Sequence, residues 1–224
     1  MLLLGIDDAG RGPIIGPMFL AGVLLRPEQE KELKAEGVAD SKMLLHPKRI
    51  RLAGMIKDVC LKYKLASATP KEIDHSINSR VNLNTLEAIK AAEIINSLLV
   101  GIKEKVRIIV DCPSVNTSAW RITLLNYLKQ TEDIELLCEH KADVNHPVVS
   151  AASILAKVER EEAISKLKAE YGSIGSGYPS DPATQAFLKK QGKKLEKSGI
   201  IRTSWATWKA LFPVAGQSKL EGFS

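Results

Sequence analysis

Asp7 and Asp8 stand side by side at the end of the first apolar run, Leu2 to Ile6, and Asp111 ends another, Val106 to Val110. Asp143 follows a third run, Ile134 to Cys138, just beyond His140. Apolar runs this short, stopped by acids, read as strands. If they are neighbours in one sheet, their carboxylates meet at one edge, where open α/β sheets place ligands. Gathered carboxylates repel and raise one another's pKa, and a hard divalent cation such as Mg²⁺ or Mn²⁺ relieves that repulsion. Two such ions ~4 Å apart activate a water and stabilise the leaving oxygen of a phosphodiester. The same residues also suit plainer work, with aspartates forming turns at strand ends and Asp143 capping a helix.

A second candidate is the loop Gly10-Arg11-Gly12-Pro13-Ile14-Ile15-Gly16-Pro17. It is no Walker loop, because no Gly-Lys-Ser/Thr follows, and Ile15 occupies the last glycine position of a dinucleotide fingerprint. Its glycines let backbone amides approach a sugar or phosphate closely. A tight turn between antiparallel strands accounts for them equally well.

The elements that must position these residues follow from the remaining pattern. Met18 to Leu25 and Tyr63 to Thr69 read as further strands, and Pro47 to Leu61 as a helix between them. Asn84 with Glu87 three residues on resembles a capping box, opening a helix with Leu86, Ile89, Ala92, Ile95 and Leu99 on one face. A helix over Ala119 to Lys129 precedes the Ile134 strand, and a long one runs on from Pro147. The Gly/Ser/Pro-rich stretch 172–182 ends it, with shorter helices over Ala183 to Gln191 and Ser204 to Leu211. Alternating strands and helices of this kind predict an α/β fold.

Composition narrows the class. The chain has 224 residues, 45% of them hydrophobic, enough to bury a core without a disulfide or metal staple. No stretch approaches the ~18 to 20 apolar residues of a membrane helix, and the apolar start is too short for a signal-peptide core. Cys60, Cys112 and Cys138 are odd in number and far apart, which predicts reduced thiols in a cytoplasmic protein. The four histidines make no paired zinc spacing. A net charge of +6 leans toward a polyanionic partner.

Taken together the motifs resemble ribonuclease HII, the type 2 ribonuclease H. The family's Asp-Glu-Ala-Gly-Arg-Gly-Pro stands here as Asp7-Asp8-Ala9-Gly10-Arg11-Gly12-Pro13, and its Asp-Ser-Lys as Asp40-Ser41-Lys42. Lys141-Ala142-Asp143 with Val149 to Val158 matches its longest signature, and Gly175-Ser176-Gly177-Tyr178-Pro179-Ser180-Asp181 resembles its tyrosine loop. The resemblance implies a ribonuclease H-like fold, a mixed five-stranded sheet flanked by helices with additional C-terminal helices. It divides the chain into a catalytic domain, 1–170, a helical substrate-binding region, 171–212, and a flexible tail, 213–224. It implies an endoribonuclease that hydrolyses RNA in RNA–DNA hybrids and cuts 5′ to ribonucleotides embedded in duplex DNA. Products then carry 3′-hydroxyl and 5′-phosphate ends. Asp7, Asp8, Asp111 and Asp143 map onto four carboxylates that hold Mg²⁺ or Mn²⁺. Gly10, Arg11 and Gly12 map onto the segment sensing the 2′-hydroxyl, Tyr178 onto a tyrosine packing against the next sugar, and Lys42 onto a phosphate contact. Alone, Tyr178 reads as a buried loop anchor and Lys42 as a solvated lysine. A monomer is expected, with no membrane association.

Two features stand apart. The family's second carboxylate is Glu, whereas this chain has Asp8, shorter by one methylene against Mg²⁺ geometry that tolerates little error. That predicts weakened catalysis or a stronger preference for Mn²⁺, and leaves a catalytically impaired hybrid-binding protein as the alternative. A phosphatase, the other enzyme with acidic strand ends, wants aspartates separated by one residue rather than adjacent. Beyond these motifs, Lys189, Lys190, Lys193, Lys194 and Lys197 form either a solvated face or a phosphate-contacting stripe. Gln217, Leu220 and Phe223 resemble a sliding-clamp-binding box, with an unstructured terminus as the other reading. This tail fits an archaeal type of the family.

Overall fold

A computed structural model of the chain describes residues 1–38 and 44–213; Asp40, Ser41, Lys42, Gln217, Leu220 and Phe223 lie outside the described residues. Five strands form one sheet: β1 (Leu2–Ala9), β2 (Met18–Leu25), β3 (Lys62–Ala68), β4 (Val106–Asp111) and β5 (Ile134–Glu139), in the order β3-β2-β1-β4-β5. β1 pairs antiparallel with β2, and β2 with β3, while β1, β4 and β5 run parallel. The sheet is therefore mixed, with β1 at its centre.

Both faces are covered, so the inner strands are apolar nearly throughout rather than alternating. Leu2, Leu4, Ile6, Ile108 and Val110 pack on one face against α4 (Leu83–Leu98) and α5 (Thr117–Leu125). Ala9, Val23 and Ile109 pack on the other against α2 (His46–Val59) and α7 (Pro147–Tyr171). α7 lies so close to β1 that a Cβ on Gly5 would sit 2.3 Å from the Val148 carbonyl oxygen. Only glycine permits that approach, and it brings one face of α7 directly over the strand that carries Asp7 and Asp8. A third cluster, Ile14, Ile15, Ile164, Phe187, Leu188, Ile201 and Trp208, joins the β1–β2 loop to the end of α7 and to α8 (Pro182–Gln191) and α9 (Ala206–Leu211). Among the described residues no helix is long and apolar enough to cross a membrane.

Most expected elements form within a few residues of their predicted bounds. Three α-helices, α1 (Pro27–Ala35), α3 (Pro70–Asn78) and the four-residue α6 (Ala142–Asn145), were not anticipated. In α1 only Leu33 is buried, leaving almost no apolar period to read. α3 is announced instead by its start, where Thr69 caps the Glu72 amide and Pro70 opens the first turn. The expected capping box at Asn84 does not form. α4 is capped by Asn82, whose side chain accepts from the Thr85 amide, and Asn84 lies inside the first turn. This releases Asn84 and Glu87 for another task.

Candidate active site

Parallel pairing of β1 with β4 sets Ile6 opposite Val110, so the next residues along, Asp7 and Asp111, come level at the strand ends. Asp111 in turn pairs with Glu139 of β5. Lys141, in the left-handed region at φ 58°, turns the chain out of β5 into the short helix α6 (Ala142–Asn145), which carries Asp143 in its first turn. The Ala142 amide donates to Asp111 Oδ1 at 2.9 Å, tying that helix to the end of β4. Asp7 and Asp143 are buried and Asp8 is partly exposed. Asp7, Asp8 and Asp111 thus lie near enough to feel one another's charge, and Asp143 sits on the helix tied to Asp111.

Their electrostatics record the crowding. Burial pushes the Asp7 carboxyl well above the usual range, and the charges of Asp8 and Asp111 add to it, against hydrogen bonds from Ser153 of α7 and the Asp8 amide. The Asp8 amide donates to Asp7 Oδ1 at 2.7 Å. Burial raises Asp8 to about 6, with Asp111 adding to the rise while Arg11, Lys157 and Arg202 pull it down. Among the described residues, no three His, Cys, Asp or Glu side chains are gathered tightly enough to hold a metal ion as they stand. The donor chemistry nevertheless fits one. Carboxylates that raise one another's pKa at a sheet edge carry negative charge that a hard divalent cation offsets, and carboxylate oxygens are the ligands it prefers.

Beside Asp8 opens a cleft of about 420 Å³, lined by Gly10, Arg11, Gly12, Arg49, Lys157, Arg160, Glu161 and Tyr178 as well. Gly10 and Gly16, at φ 87° and 88°, let the β1–β2 loop turn in and out of the strands. Tyr178 is 39% exposed, so it is a cleft wall rather than a buried anchor. Its ring lies against Gly12, where an added Cβ would be 3.4 Å from Cε1. The Arg160 guanidinium sits 5.0 Å from the ring centroid and donates to the Ser176 carbonyl at 2.9 Å. The tyrosine loop is pinned from behind. Asp181 accepts from the Ser176 amide at 2.5 Å and caps α8 through the Ala183 amide at 2.9 Å, which hold its carboxyl down to about 2. Buried Thr184 accepts from the Gly177 amide at 3.0 Å.

Arg11 borders the cleft through its place in the loop. Its guanidinium leaves the loop to pair with buried Glu87 and to donate to Asn84 Oδ1 at 2.6 Å. The two residues read as a cap are the cradle of Arg11. Sequence reasoning also missed Arg202, which is fully buried and reaches three carbonyls of the glycine loop: Gly10 at 2.6 Å, Arg11 at 2.8 Å and Gly16 at 2.9 and 3.0 Å. Burial lowers its pKa to about 10, which leaves it charged at neutral pH. Lys157 was legible only as part of the Val149 to Val158 signature, and Arg160, one helical turn on and also facing the cleft, lies beyond it and was missed.

A central β1–β4 pair with carboxylates level at its end, an antiparallel extension on one side and a long helix laid across β1 define the ribonuclease H-like class of nuclease. The description of one family, Ribonuclease HII, matches residues 4–208. The ribonuclease HII of Methanocaldococcus jannaschii is 39% identical over 230 residues, covering 98% of this chain and 99% of that one. The crystal structure of the ribonuclease H2 from Pyrococcus horikoshii OT3 matches with a TM-score of 0.84 at 38% identity, covering 94% and 97% of the two chains. The ribonuclease HII solved in complex with PCNA from Archaeoglobus fulgidus matches with a TM-score of 0.79 at 35% identity, covering 92% and 95%. The chain belongs to the ribonuclease HII family, and is a ribonuclease H, a phosphodiester hydrolase.

Proposed function

We propose that the chain hydrolyses RNA in RNA–DNA hybrids and cuts 5′ to ribonucleotides embedded in duplex DNA, leaving 3′-hydroxyl and 5′-phosphate ends. The observation that carries this reading is the adjacency of the Asp7–Asp8–Asp111 group to a cleft whose walls are a glycine turn and Tyr178. Asp7, Asp8, Asp111 and Asp143 are the residues that would hold Mg²⁺ or Mn²⁺. Two bound ions would supply water activation and stabilisation of the leaving oxygen. Lys157 and Arg160 bring positive charge to the cleft wall, where a backbone phosphate would lie. Only a 2′-hydroxyl marks one ribonucleotide among deoxyribonucleotides, so a reader must bring donors and acceptors up to that sugar. The Gly10–Gly12 backbone does this, and the Tyr178 ring favours a neighbouring sugar that turns no hydroxyl toward it. Lys42 is assigned a phosphate contact from its motif alone. Residues 1–170 form the catalytic unit and 171–212 the substrate-binding region in this reading, the two packed together through the shared Ile14–Ile15–Phe187–Trp208 cluster. The activity serves ribonucleotide removal in DNA replication and repair.

The test is cleavage of a labelled duplex carrying one ribonucleotide, beside an all-DNA control, in Mg²⁺, in Mn²⁺ and in chelator. A single cut 5′ to the ribonucleotide, lost in chelator, is expected. Asp8 favours one second reading, a hybrid-binding protein of impaired catalysis; binding without a cut in either metal is its signature.

Two further expectations arise here. Lys189, Lys190, Lys193, Lys194 and Lys197 are all exposed, and Lys193 is 2.8 Å from Glu196. Replacing Lys189, Lys190 and Lys194 with alanine is expected to flatten the salt dependence of duplex binding by roughly 0.9 log units per lost phosphate contact. An unchanged slope leaves them as ordinary surface charge. For the tail, the Archaeoglobus complex with PCNA supports a sliding clamp as partner. Binding of a cognate clamp, measured by calorimetry, should be lost in Leu220→Ala/Phe223→Ala and kept in the wild type; equal binding removes the assignment.

A further inference from the structure

Arg202 is a buried cation set among backbone carbonyls. A buried charge is costly to desolvate, and the hydrogen bonds it makes must offset that cost. What a guanidinium does that no other side chain can is hold several acceptors in one plane through a fixed fork of donors. Arg202 Nη2 donates to the Gly10 and Gly16 carbonyls, Nη1 to Arg11, and Nε to Gly16 again. Its own amide donates to the Ile14 carbonyl at 2.9 Å, and the neighbouring Trp205 indole donates to the Gly12 carbonyl at 3.1 Å.

These contacts have a geometric consequence on the opposite side of the loop. In a trans peptide the carbonyl and the following N–H point in opposite directions, and the peptides here are trans. Drawing the Gly10 and Arg11 carbonyls toward Arg202 therefore turns the Arg11 and Gly12 amides away from it. Neither amide has a hydrogen-bond partner among the described residues, and both residues line the cleft.

We propose that Arg202 is a positioning residue for ribonucleotide recognition: its side chain aims the Arg11 and Gly12 amides at the sugar whose 2′-hydroxyl is read. Asp74 of α3 is the anchor behind it. One carboxylate oxygen accepts from the Thr203 amide and hydroxyl, both at 2.7 Å, and the other from the Ser204 amide at 3.0 Å and hydroxyl at 2.6 Å. Those four bonds fix the residues next to Arg202, so the fork meets the loop at one height. The inference rests on the reading of Gly10–Gly12 as the sugar sensor.

The test is equilibrium binding in chelator, where nothing is cut, of a duplex with one ribonucleotide and of its all-DNA twin. The ratio of the two affinities is the readout, because a merely structural defect lowers both affinities together and leaves their ratio alone. Arg202→Ala is expected to lower the ratio by tenfold or more, mainly through the ribonucleotide duplex. Arg202→Lys, whose single ammonium cannot span three carbonyls, should fall between, and Asp74→Ala should shift the ratio the same way by a smaller factor. Thermal melts establish which variants are folded. If the alanine variant is not, Arg202→Lys and Asp74→Ala decide the matter. An unchanged ratio in the folded variants, with the wild type discriminating, overturns the role of Arg202 and leaves the sensor standing. No discrimination by the wild type itself overturns the sensor and the inference together.

Discussion

Asp7→Asn is expected to abolish cleavage and to make the metal-free protein more stable. The substitution is nearly isosteric, and an asparagine oxygen can still accept from the Asp8 amide, as Asp7 Oδ1 does at 2.7 Å. What disappears is a charge that burial, Asp8 and Asp111 all disfavour. A carboxylate whose folded pKa is raised holds its proton more tightly in the native chain than in the unfolded one. Its contribution to stability is full below about pH 4, the unfolded value, and is lost as pH rises through the folded one, about 6 for Asp8 and also raised for Asp7. At pH 7.5 in chelator the variant should therefore melt above the wild type, and the gap should close toward pH 4.5. Divalent cation should restore the wild type by mass action and help the variant less. Catalysis goes the other way. Loss of a carboxylate that would hold the ions removes several kcal/mol of transition-state stabilisation, on the order of a thousandfold in rate. A variant that keeps a tenth of the activity, or melts below the wild type at pH 7.5, contradicts this account of the site.

Asp8→Glu is expected to raise the rate in Mg²⁺ by about tenfold, worth about 1.4 kcal/mol in the barrier, and to narrow the advantage of Mn²⁺. The added methylene extends the carboxylate by roughly one carbon–carbon bond, ~1.5 Å. Against a cation that wants its ligands at ~2.0 to 2.1 Å in near-ideal octahedral array, that displacement is large. The structure has room for it. Asp8 is partly exposed and borders the cleft of about 420 Å³, whereas Asp7 is buried against α7. The longer chain can thus reach outward without repacking the core. Single-turnover rates in each metal, with both proteins saturating, are the measurement. Equal rates and an equal metal preference would show that Asp8 already places its oxygens as the family glutamate does.

The sequence makes the acidic end of the sheet visible because the signal is local. Leu2 to Ile6 followed by Asp7 is an apolar run with an acid at its stop, and the same holds for Val106 to Val110 with Asp111. Pairing them needs only that both be central parallel strands, and the register then sets the acids level. Glu87 and Asn84 show where such reading stops. Their spacing is that of a capping box, yet the cap falls two residues earlier at Asn82, and the pair serves Arg11 from 73 and 76 positions away. A local motif cannot announce a distant partner. Arg202 is the extreme case, since an arginine near the end of a basic chain reads as surface charge, and nothing in its neighbours tells of three carbonyls near the start.

The bonds from Arg202 to the glycine loop span 186, 191 and 192 residues. Contacts so distant along the chain close the largest loops and form late, because their entropy is lost before they return anything. In synthesis the delay is longer still. At about 5–20 residues per second, Arg202 is made on the order of ten to forty seconds after Gly10. Throughout that interval β1 and β2 can pair through their hairpin while the loop between them has no clasp. A nascent or truncated chain ending before Arg202 can hold strands bearing Asp7 and Asp111 with the glycine loop still unclasped. On the proposed role of Arg202, discrimination is set only after the acidic strand ends have been made.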